Sequence, residues 1–197
     1  MDAASIEFDL RLTRAPRPHA VAGADLAAAN PGSTLALDRV AAGKGDLLLT
    51  GANAKLRTGT GRIDLAAARD VRIDNVRAVV YTGGRIGAAD TEAGGNNRWA
   101  IDGGDITVQA GRDVAGPVSA AGDLWITEWL RRPRLSQAAF ASLLPTDWWA
   151  YRPNFQQGLG TLAGGNIDVS AGRDVSNLAA MLPTTGRTDR DAAGLRR

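Results

Sequence analysis

The chain has 197 residues, with 23 basic and 21 acidic side chains, a formal net charge of +2, and 24 glycines against only 5% aromatic residues. It contains no cysteine, which excludes disulfides, thiolate metal sites and a cysteine nucleophile. The tightest basic cluster, Arg131, Arg132 and Arg134, is too short to follow a phosphate backbone, so we expect no nucleic-acid partner.

Residues 1–32 are the first predicted element. This stretch contains three prolines and a run of alanines, so we predict a loosely ordered segment, apart from an edge strand at Ile6–Leu12. It has no apolar run of signal-peptide length. His19 is the only histidine of the chain, so neither a catalytic triad nor a histidine metal cluster can be assembled from it.

A glycine-bounded phrase recurs along residues 33–183. In each full copy, glycine precedes apolar residues that alternate at period two, which predicts a short strand with one buried face. A corner of Ala-Gly-Arg-Asp or Ala-Ala-Arg-Asp follows, where glycine gives backbone freedom and aspartate caps its own turn. A second apolar step then begins. The copies are GKGDLLLTG at 43–51, which keeps only the opening half, GTGRIDLAAARDVRID at 59–74, GGDITVQAGRDV at 103–114 and GGNIDVSAGRDV at 164–175.

The spacing of these copies predicts how they pack. Gly61, Gly104 and Gly165 lie 43 and 61 residues apart, close to two and three times a rung of about 20 residues. Stacking such rungs at the strand spacing of about 4.8 Å lays isoleucine on isoleucine and valine on valine. We therefore predict an all-β fold, a parallel β-helix over residues 33–183. Antiparallel hairpins are the competing interpretation, but Asp102–Gly103 is the single Asn-Gly or Asp-Gly pair of the chain.

The pattern breaks over residues 125–163, where four of the five tryptophans occur. Ser136 can cap a helix through QAAFASLL that Pro145 ends, so we predict a partly helical insertion. Removing about 40 residues brings the two best copies to about one rung apart, so the insertion is expected to leave the rungs at one corner. Its aromatic side chains are candidates for binding a glycan or a partner protein, and the alternative is a small satellite core. The candidate binding residues are Trp125, Trp129, Trp148, Trp149, Tyr151 and Arg152.

The chain ends in a tail, residues 184–197, that is rich in Arg, Asp, Thr and Gly and for which we predict disorder. No window of the sequence approaches the roughly 18 uncharged apolar residues of a membrane span. Since no signal-peptide run is found either, we expect that an exported protein would contain this chain as an internal or C-proximal part.

The strings GGDITVQAGRDV and GGNIDVSAGRDVSN resemble the repeats of filamentous haemagglutinin-family exoproteins, the large substrates of two-partner secretion. In that family, such phrases recur along a right-handed parallel β-helix. The resemblance implies a secreted or cell-surface location, export through an outer-membrane two-partner secretion transporter, and continuation into the rest of a longer polypeptide. It implies a non-catalytic stalk for adhesion or toxin delivery, with no catalytic, cofactor or metal residue, because the repeats build the rod. Neither a secretion-signal domain nor a toxin domain is recognisable.

The glycine-rich stretches do not match the phosphate or calcium motifs. GTGRID at 59–64 lacks the third glycine of a dinucleotide-binding turn, and the chain has no Gly-Lys-Ser or Gly-Lys-Thr. GGNID and GGDIT place isoleucine where the calcium nonapeptide has a glycine, so we predict no cofactor or metal. The enzymatic alternative is a polysaccharide-cleaving β-helix with Asp64, Asp105 and Asp168 as its carboxylates. Because these aspartates recur with the repeat and alternate with inward residues, we expect an outward, solvated row.

Overall fold

The computed structural model describes residues 18–30, 32–90, 97–118, 130–131, 149–150, 155 and 158–183. These residues are mostly strands, with one 3-10 turn at Leu37–Arg39. Twelve strands form three parallel sheets of four strands each. Sheet 1 contains β1 (His19–Ala22), β4 (Ile63–Ala67), β9 (Ile106–Ala110) and β14 (Ile167–Ala171); sheet 2 contains β2 (Leu47–Leu49), β5 (Val71–Ile73), β10 (Val114–Ala115) and β15 (Val175–Ser176); sheet 3 contains β3 (Lys55–Thr58), β6 (Val79–Thr82), β13 (Gly158–Thr161) and β16 (Ala180–Met181).

The chain visits the three sheets in a fixed cycle. It passes from sheet 1 to sheet 2 to sheet 3 and back, so each circuit adds one strand to each sheet. The first circuit holds β1 to β3, the second β4 to β6, the third β9, β10 and β13, and the fourth β14 to β16. Neighbouring strands of a sheet belong to successive circuits, and all of these pairings are parallel. The prediction of an all-β fold with parallel sheets is confirmed.

The copies of the glycine-bounded phrase lie in register on adjacent strands. In sheet 1, Ile63 pairs with Ile106, which pairs with Ile167. In sheet 2, Val71 and Val175 lie on either side of the valine of the middle copy. Ile63 and Ile106 are fully buried, because both side chains belong to the apolar cluster between the three sheets. Like side chains of successive copies therefore share columns, as the sequence predicts.

The distances between copies reflect excursions and not additional rungs. An uninterrupted circuit runs from Leu47 to Val71, or from Leu159 to Ala180, close to the predicted length. The 43 residues between the second and third copies belong to one circuit, so their interpretation as two rungs is wrong. The 61 residues between the last two copies also span one circuit, with the insertion inside it. The excursions contain two antiparallel pairs, β7 (Arg85–Asp90) with β8 (Asn97–Ile101), and β11 (Leu130–Arg131) with β12 (Trp149–Ala150).

The first copy takes a different register from the one that its sequence suggests. GKGDLLLTG resembles the opening half of the phrase, but Leu47 pairs with Val71 in sheet 2. Asp46 consequently lies beside Asp70, whose backbone N–H donates to Asp46 Oδ1 at 3.1 Å. The string therefore corresponds to the Arg-Asp-Val half of the phrase, and the prediction that it keeps the opening half is wrong.

Strand β1 opens the first circuit instead, and it lies inside the segment 1–32 for which the sequence predicts loose order. It pairs with β4 through four residues. Its sequence, His-Ala-Val-Ala, is too short and too poor in large side chains to show a period-two pattern alone. The predicted edge strand at Ile6–Leu12, the predicted helix over residues 136–144 and the tail 184–197 lie outside the described residues.

Isoleucine, leucine, valine and alanine fill the space between the three sheets. The main core cluster is made of the inward columns: Ile63, Leu65, Ala67, Val71, Ile73, Ala78, Val80, Ile106, Val108, Ala110, Val114 and Leu159. Sheet 3 is also covered on its outer face, where Val79, Tyr81, Phe155 and Leu162 form a second cluster. Sheet 1 differs, since buried and more exposed residues alternate along β9. The outer faces of sheets 1 and 3 are therefore chemically distinct.

Candidate functional site

A column of arginine and aspartate side chains runs along the corner between sheets 1 and 2. The Arg-Asp pair follows each strand of sheet 1 after the first, so the parallel register stacks arginine on arginine and aspartate on aspartate. Backbone bonds join the corners: Arg112 N–H donates to Arg69 O, and Arg173 N–H donates to Arg112 O, both at 2.8 Å. We call this set the corner column; its members are Asp46, Arg69, Asp70, Arg112, Asp113, Arg173 and Asp174.

Arginines of the corner column bind the aspartate of the preceding circuit. Arg112 donates from Nε to Asp70 Oδ1 at 2.7 Å and from Nη2 to Asp70 Oδ2 at 2.5 Å. Arg173 binds Asp113 in the same way, from Nε to Oδ1 at 2.8 Å and from Nη2 to Oδ2. Two parallel charge-assisted bonds fix the plane of the guanidinium against the carboxylate. Each of these pairs therefore ties one circuit to the next.

The aspartates also accept backbone bonds from the following circuit. Asp113 N–H donates to Asp70 Oδ1 at 3.2 Å, and Asp70 N–H donates to Asp46 Oδ1 at 3.1 Å. Arg69 Nε lies 3.6 Å from Asp46 Oδ1. The sequence predicts that these aspartates cap their own turns, but their carboxylates reach the neighbouring turn instead. That difference follows from the stacking, which brings the next corner within hydrogen-bond distance.

The ion pairs keep the column charged. Hydrogen bonding from Arg112 holds the pKa of Asp70 below its usual value, against the increase that burial alone would cause. Hydrogen bonding from Arg173 likewise lowers the pKa of Asp113. The pKa values of both arginines are raised by these same aspartates. The column therefore contributes most to stability when its carboxylates are ionised.

Glycine is required at the corner because successive circuits approach closely there. A Cβ on Gly111 would lie 2.2 Å from Ala68 O, and one on Gly172 would lie 2.2 Å from Gly111 O. Neither glycine has a positive φ. Glycine is therefore required here because a side chain would not fit, and not for the backbone freedom that the sequence predicts. Ala68 keeps its Cβ because Gly23 of the first circuit leaves room beneath it; a Cβ on Gly23 would lie 2.7 Å from that of Ala68. This explains why the second copy reads Ala-Ala-Arg-Asp.

The outer face of sheet 1 carries the predicted aspartates in two separate columns. Asp64 pairs with Thr107, which pairs with Asp168, so a threonine separates these two carboxylates. Asp105 lies in the adjacent column, where its Oδ1 accepts a bond from Asn166 N–H at 2.8 Å. The predicted row of three aspartates is therefore divided between two adjacent columns.

Asp64 is held by two neighbouring basic side chains. Arg62 donates from Nη2 to Asp64 Oδ1 at 2.8 Å, and His19 Nε2 lies 3.4 Å from Asp64 Oδ2. Arg62 Nη2 also reaches Thr107 Oγ1 at 3.4 Å. These contacts link the first three circuits across the outer face of sheet 1. The single histidine, His19, therefore contacts an aspartate of the neighbouring strand.

The structure describes one of the six predicted aromatic-site residues, Trp149, which lies in β12 opposite Arg131 of β11. The other five, Trp125, Trp129, Trp148, Tyr151 and Arg152, lie outside the described residues. The recognition-patch hypothesis for the insertion stays a prediction.

Phe155, near the end of the insertion, packs on the outer face of sheet 3. Its side chain is fully buried, and its ring centroid lies 5.6 Å from that of Tyr81, with the ring planes at 74°. Gly160 leaves the space that this ring fills, since a Cβ there would lie 2.5 Å from Phe155 Cζ. The satellite-core alternative therefore holds for this one aromatic residue. Sequence reasoning missed its partner Tyr81, because no local pattern connects β6 with the insertion.

Among the described residues, no group of three or more His, Cys, Asp or Glu side chains is arranged to hold a metal ion. The same part of the chain contains no helix with the length and apolar character of a membrane span. No family model, no curated protein and no solved structure matches the chain.

Proposed function

We propose that this chain is a segment of a right-handed parallel β-helix and belongs to the stalk of a large exported surface protein of the filamentous haemagglutinin type. The observation that carries the proposal is the in-register, parallel pairing of Ile63, Ile106 and Ile167. A chain that adds one strand to each of three sheets per circuit has the topology of such a helix. The right hand follows from the strong preference of parallel crossover connections.

A stalk must be stiff and extendable, and both properties follow from circuits that bind only their neighbours. Apolar columns join successive circuits on the inside, and the corner column joins them on the outside. Each added circuit extends the structure by about 4.8 Å. Repetition of one phrase can therefore build a long spacer without a larger core.

The proposed role is non-catalytic. The polysaccharide-cleaving alternative needs two carboxylates that face one substrate bond. Thr107 lies between Asp64 and Asp168, and Asp64 is already bound by Arg62. These contacts favour a structural use of the aspartates. A reducing-sugar assay on uronate polymers tests this point, and turnover that is abolished by Asp64→Asn would overturn it.

The cellular setting is part of the proposal. An outer-membrane two-partner secretion transporter would export the longer polypeptide, and the stalk would stand at the cell surface or be released. The absence of cysteine suits a chain that crosses a membrane unfolded, because no premature disulfide can block it. A glycan or protein ligand for the aromatic insertion is tested on a glycan array with a Trp148→Ala, Trp149→Ala variant; identical profiles would remove that role.

Surface labelling tests the location directly. Antibodies raised against this chain are applied to intact cells of the encoding bacterium, with a cytoplasmic protein as the control antigen. We expect labelling of intact cells or of the culture supernatant, and loss of the cell-bound signal after external protease. Detection only after lysis, together with the control antigen, would contradict the proposal.

A further inference from the structure

The fourth circuit is the last of the described circuits at one end of the structure. Strands β14, β15 and β16 are the last strands of sheets 1, 2 and 3, and no other described strand pairs with their outer edges. Val175 is 52% exposed, whereas the equivalent Val114 and Val71 of earlier circuits are 1% and 2% exposed. Ile167 is half-buried, whereas Ile106 is fully buried. Within the described part of the chain, this end therefore presents both unpaired strand edges and an uncovered apolar column.

The corner column is also incomplete at this end. Asp70 and Asp113 each bind an arginine of the following circuit, and their side chains are 9% and 20% exposed. Asp174 is 70% exposed, and its ion pair in the described part of the chain is with Arg173 of its own circuit, at 3.5 Å. Asp174 thus occupies the position of Asp70 and Asp113 in the column, but in the described residues no arginine of a following circuit binds it.

The column has a direction, which makes the two ends different. Each aspartate accepts from the arginine of the following circuit. In the first circuit Gly45 lies beside Arg69, whose backbone N–H donates to Gly45 O at 2.9 Å, so glycine occupies the arginine position there. The opposite end therefore offers no equivalent arginine to a circuit placed beneath it. The carboxylate that can accept an arginine of a further circuit, Asp174, therefore lies at the β14–β16 end.

We propose that the β14–β16 end is an acceptor site for one further circuit of the same phrase, and that Asp174 selects an arginine placed directly before the aspartate of that circuit. This inference rests on the proposed β-helix. The partner has three chemical features: alternating apolar residues that cover Ile167 and Val175, a glycine at the corner, and a guanidinium for Asp174. Added strands would bind by main-chain hydrogen bonds, with the side chains giving selectivity.

Two nearer candidates fit this end less well. A second copy stacked by its first circuit would bring Gly45 to Asp174, without a guanidinium. Residues 184–197 contain no Gly-Arg-Asp or Ala-Arg-Asp corner after alternating apolar residues. Neither source supplies both the apolar column and the arginine. A strand–corner–strand segment with the full phrase supplies both.

A synthetic peptide with the sequence of residues 103–116 is the probe, added to the full chain and followed by fluorescence anisotropy. We expect saturable binding, and about tenfold weaker binding when the peptide carries Arg112→Gln, because a charge-assisted bond is lost. Asp174→Asn in the full chain should abolish the preference between the two peptides. Asp168→Asn, an exposed aspartate on the same edge strand, is the control and should keep the preference.

Hydrogen exchange with the peptide bound locates the site, and we expect protection of β14 and β15. Protection of β1 instead, absence of binding, or equal binding of the two peptides by the parent chain would each overturn the inference. Circular dichroism of Asp174→Asn checks that the variant is folded. A disulfide between Gln109→Cys and Ser170→Cys reports the stacking alone, so its formation without peptide selectivity would remove the acceptor site and leave the β-helix proposal intact.

Discussion

Arg112 of the third circuit donates two hydrogen bonds to Asp70 of the second, so that a carboxylate only 9% exposed is neutralised by a residue 42 positions away in sequence. Replacing Arg112 with alanine removes both bonds and leaves the carboxylate poorly solvated. We expect Arg112→Ala to lower the thermal midpoint by about 5 °C, measured by circular dichroism on the full chain.

The control for that change is Arg72→Ala. Arg72 pairs with Asp74 at 3.0 Å, but their side chains are 50% and 35% exposed, and exposed pairs contribute little. The midpoint of Arg72→Ala should stay close to that of the parent. Equal losses in the two variants would contradict a special role for the corner column.

Stability should fall in acid through the same aspartates. The folded-state pKa values of Asp70 and Asp113 lie below the usual value of 3.8, so these groups stabilise the fold fully above that value. Their contribution is lost as the pH falls through the lower, folded-state values. We expect the thermal midpoint to drop between about pH 4 and pH 2, and to drop less steeply in Arg112→Ala. A thermal midpoint that rises on acidification would contradict the lowered pKa values of Asp70 and Asp113.

Close packing of the corners predicts that Gly111→Ala is strongly destabilising. Its Cβ would lie 2.2 Å from Ala68 O, which forces adjacent circuits apart, and we expect a loss of about 3 kcal/mol in urea unfolding. Gly51→Ala is the matched control, since its Cβ would meet Ala54 at an ordinary 3.6 Å. If both substitutions are tolerated alike, the circuits are not in contact at Gly111.

Because Phe155 anchors the end of the insertion on sheet 3, we expect its removal to destabilise the fold, although it lies outside the main core cluster. Phe155→Ala removes a fully buried ring from the outer face of sheet 3, and we expect a loss of about 3 kcal/mol in the free energy of unfolding. Leu182→Ala, at a side chain 54% exposed, should change it by less than about 0.5 kcal/mol. Urea titrations measure both, and a negligible effect of Phe155→Ala would contradict the packing.

The sequence predicts the parts of the fold that depend on a repeated local pattern. Ile106 and Ile167 have the same neighbours and the same period, so the repeat alone predicts that they share a column. The register of Leu47 cannot be predicted in this way, because the string around it resembles two halves of the phrase, and only pairing with Val71 decides between them. Phe155 shows a further limit: its burial depends on Gly160 and Tyr81, which no local pattern connects to it.

The same limit applies to the corner column. Arginine and aspartate are visible in every full copy as Gly-Arg-Asp or Ala-Arg-Asp, but adjacent residues suggest a bond within one turn. The bidentate pairs instead join different circuits, as Arg173 with Asp113 shows. Sequence supplies the residue types, and the stacking determines which of them meet.

Disulfide trapping tests the central claim most directly, because the chain has no cysteine of its own. Gln109 and Ser170 are directly paired, exposed residues of β9 and β14, and parallel neighbours about 4.8 Å apart lie within disulfide range. Gln109→Cys with Ser170→Cys should oxidise rapidly to an intramolecular disulfide. Gln109→Cys with Asp168→Cys, offset by two residues to about 8 Å, should not. Equal oxidation of the two pairs, or of neither, would contradict the in-register stacking of the circuits.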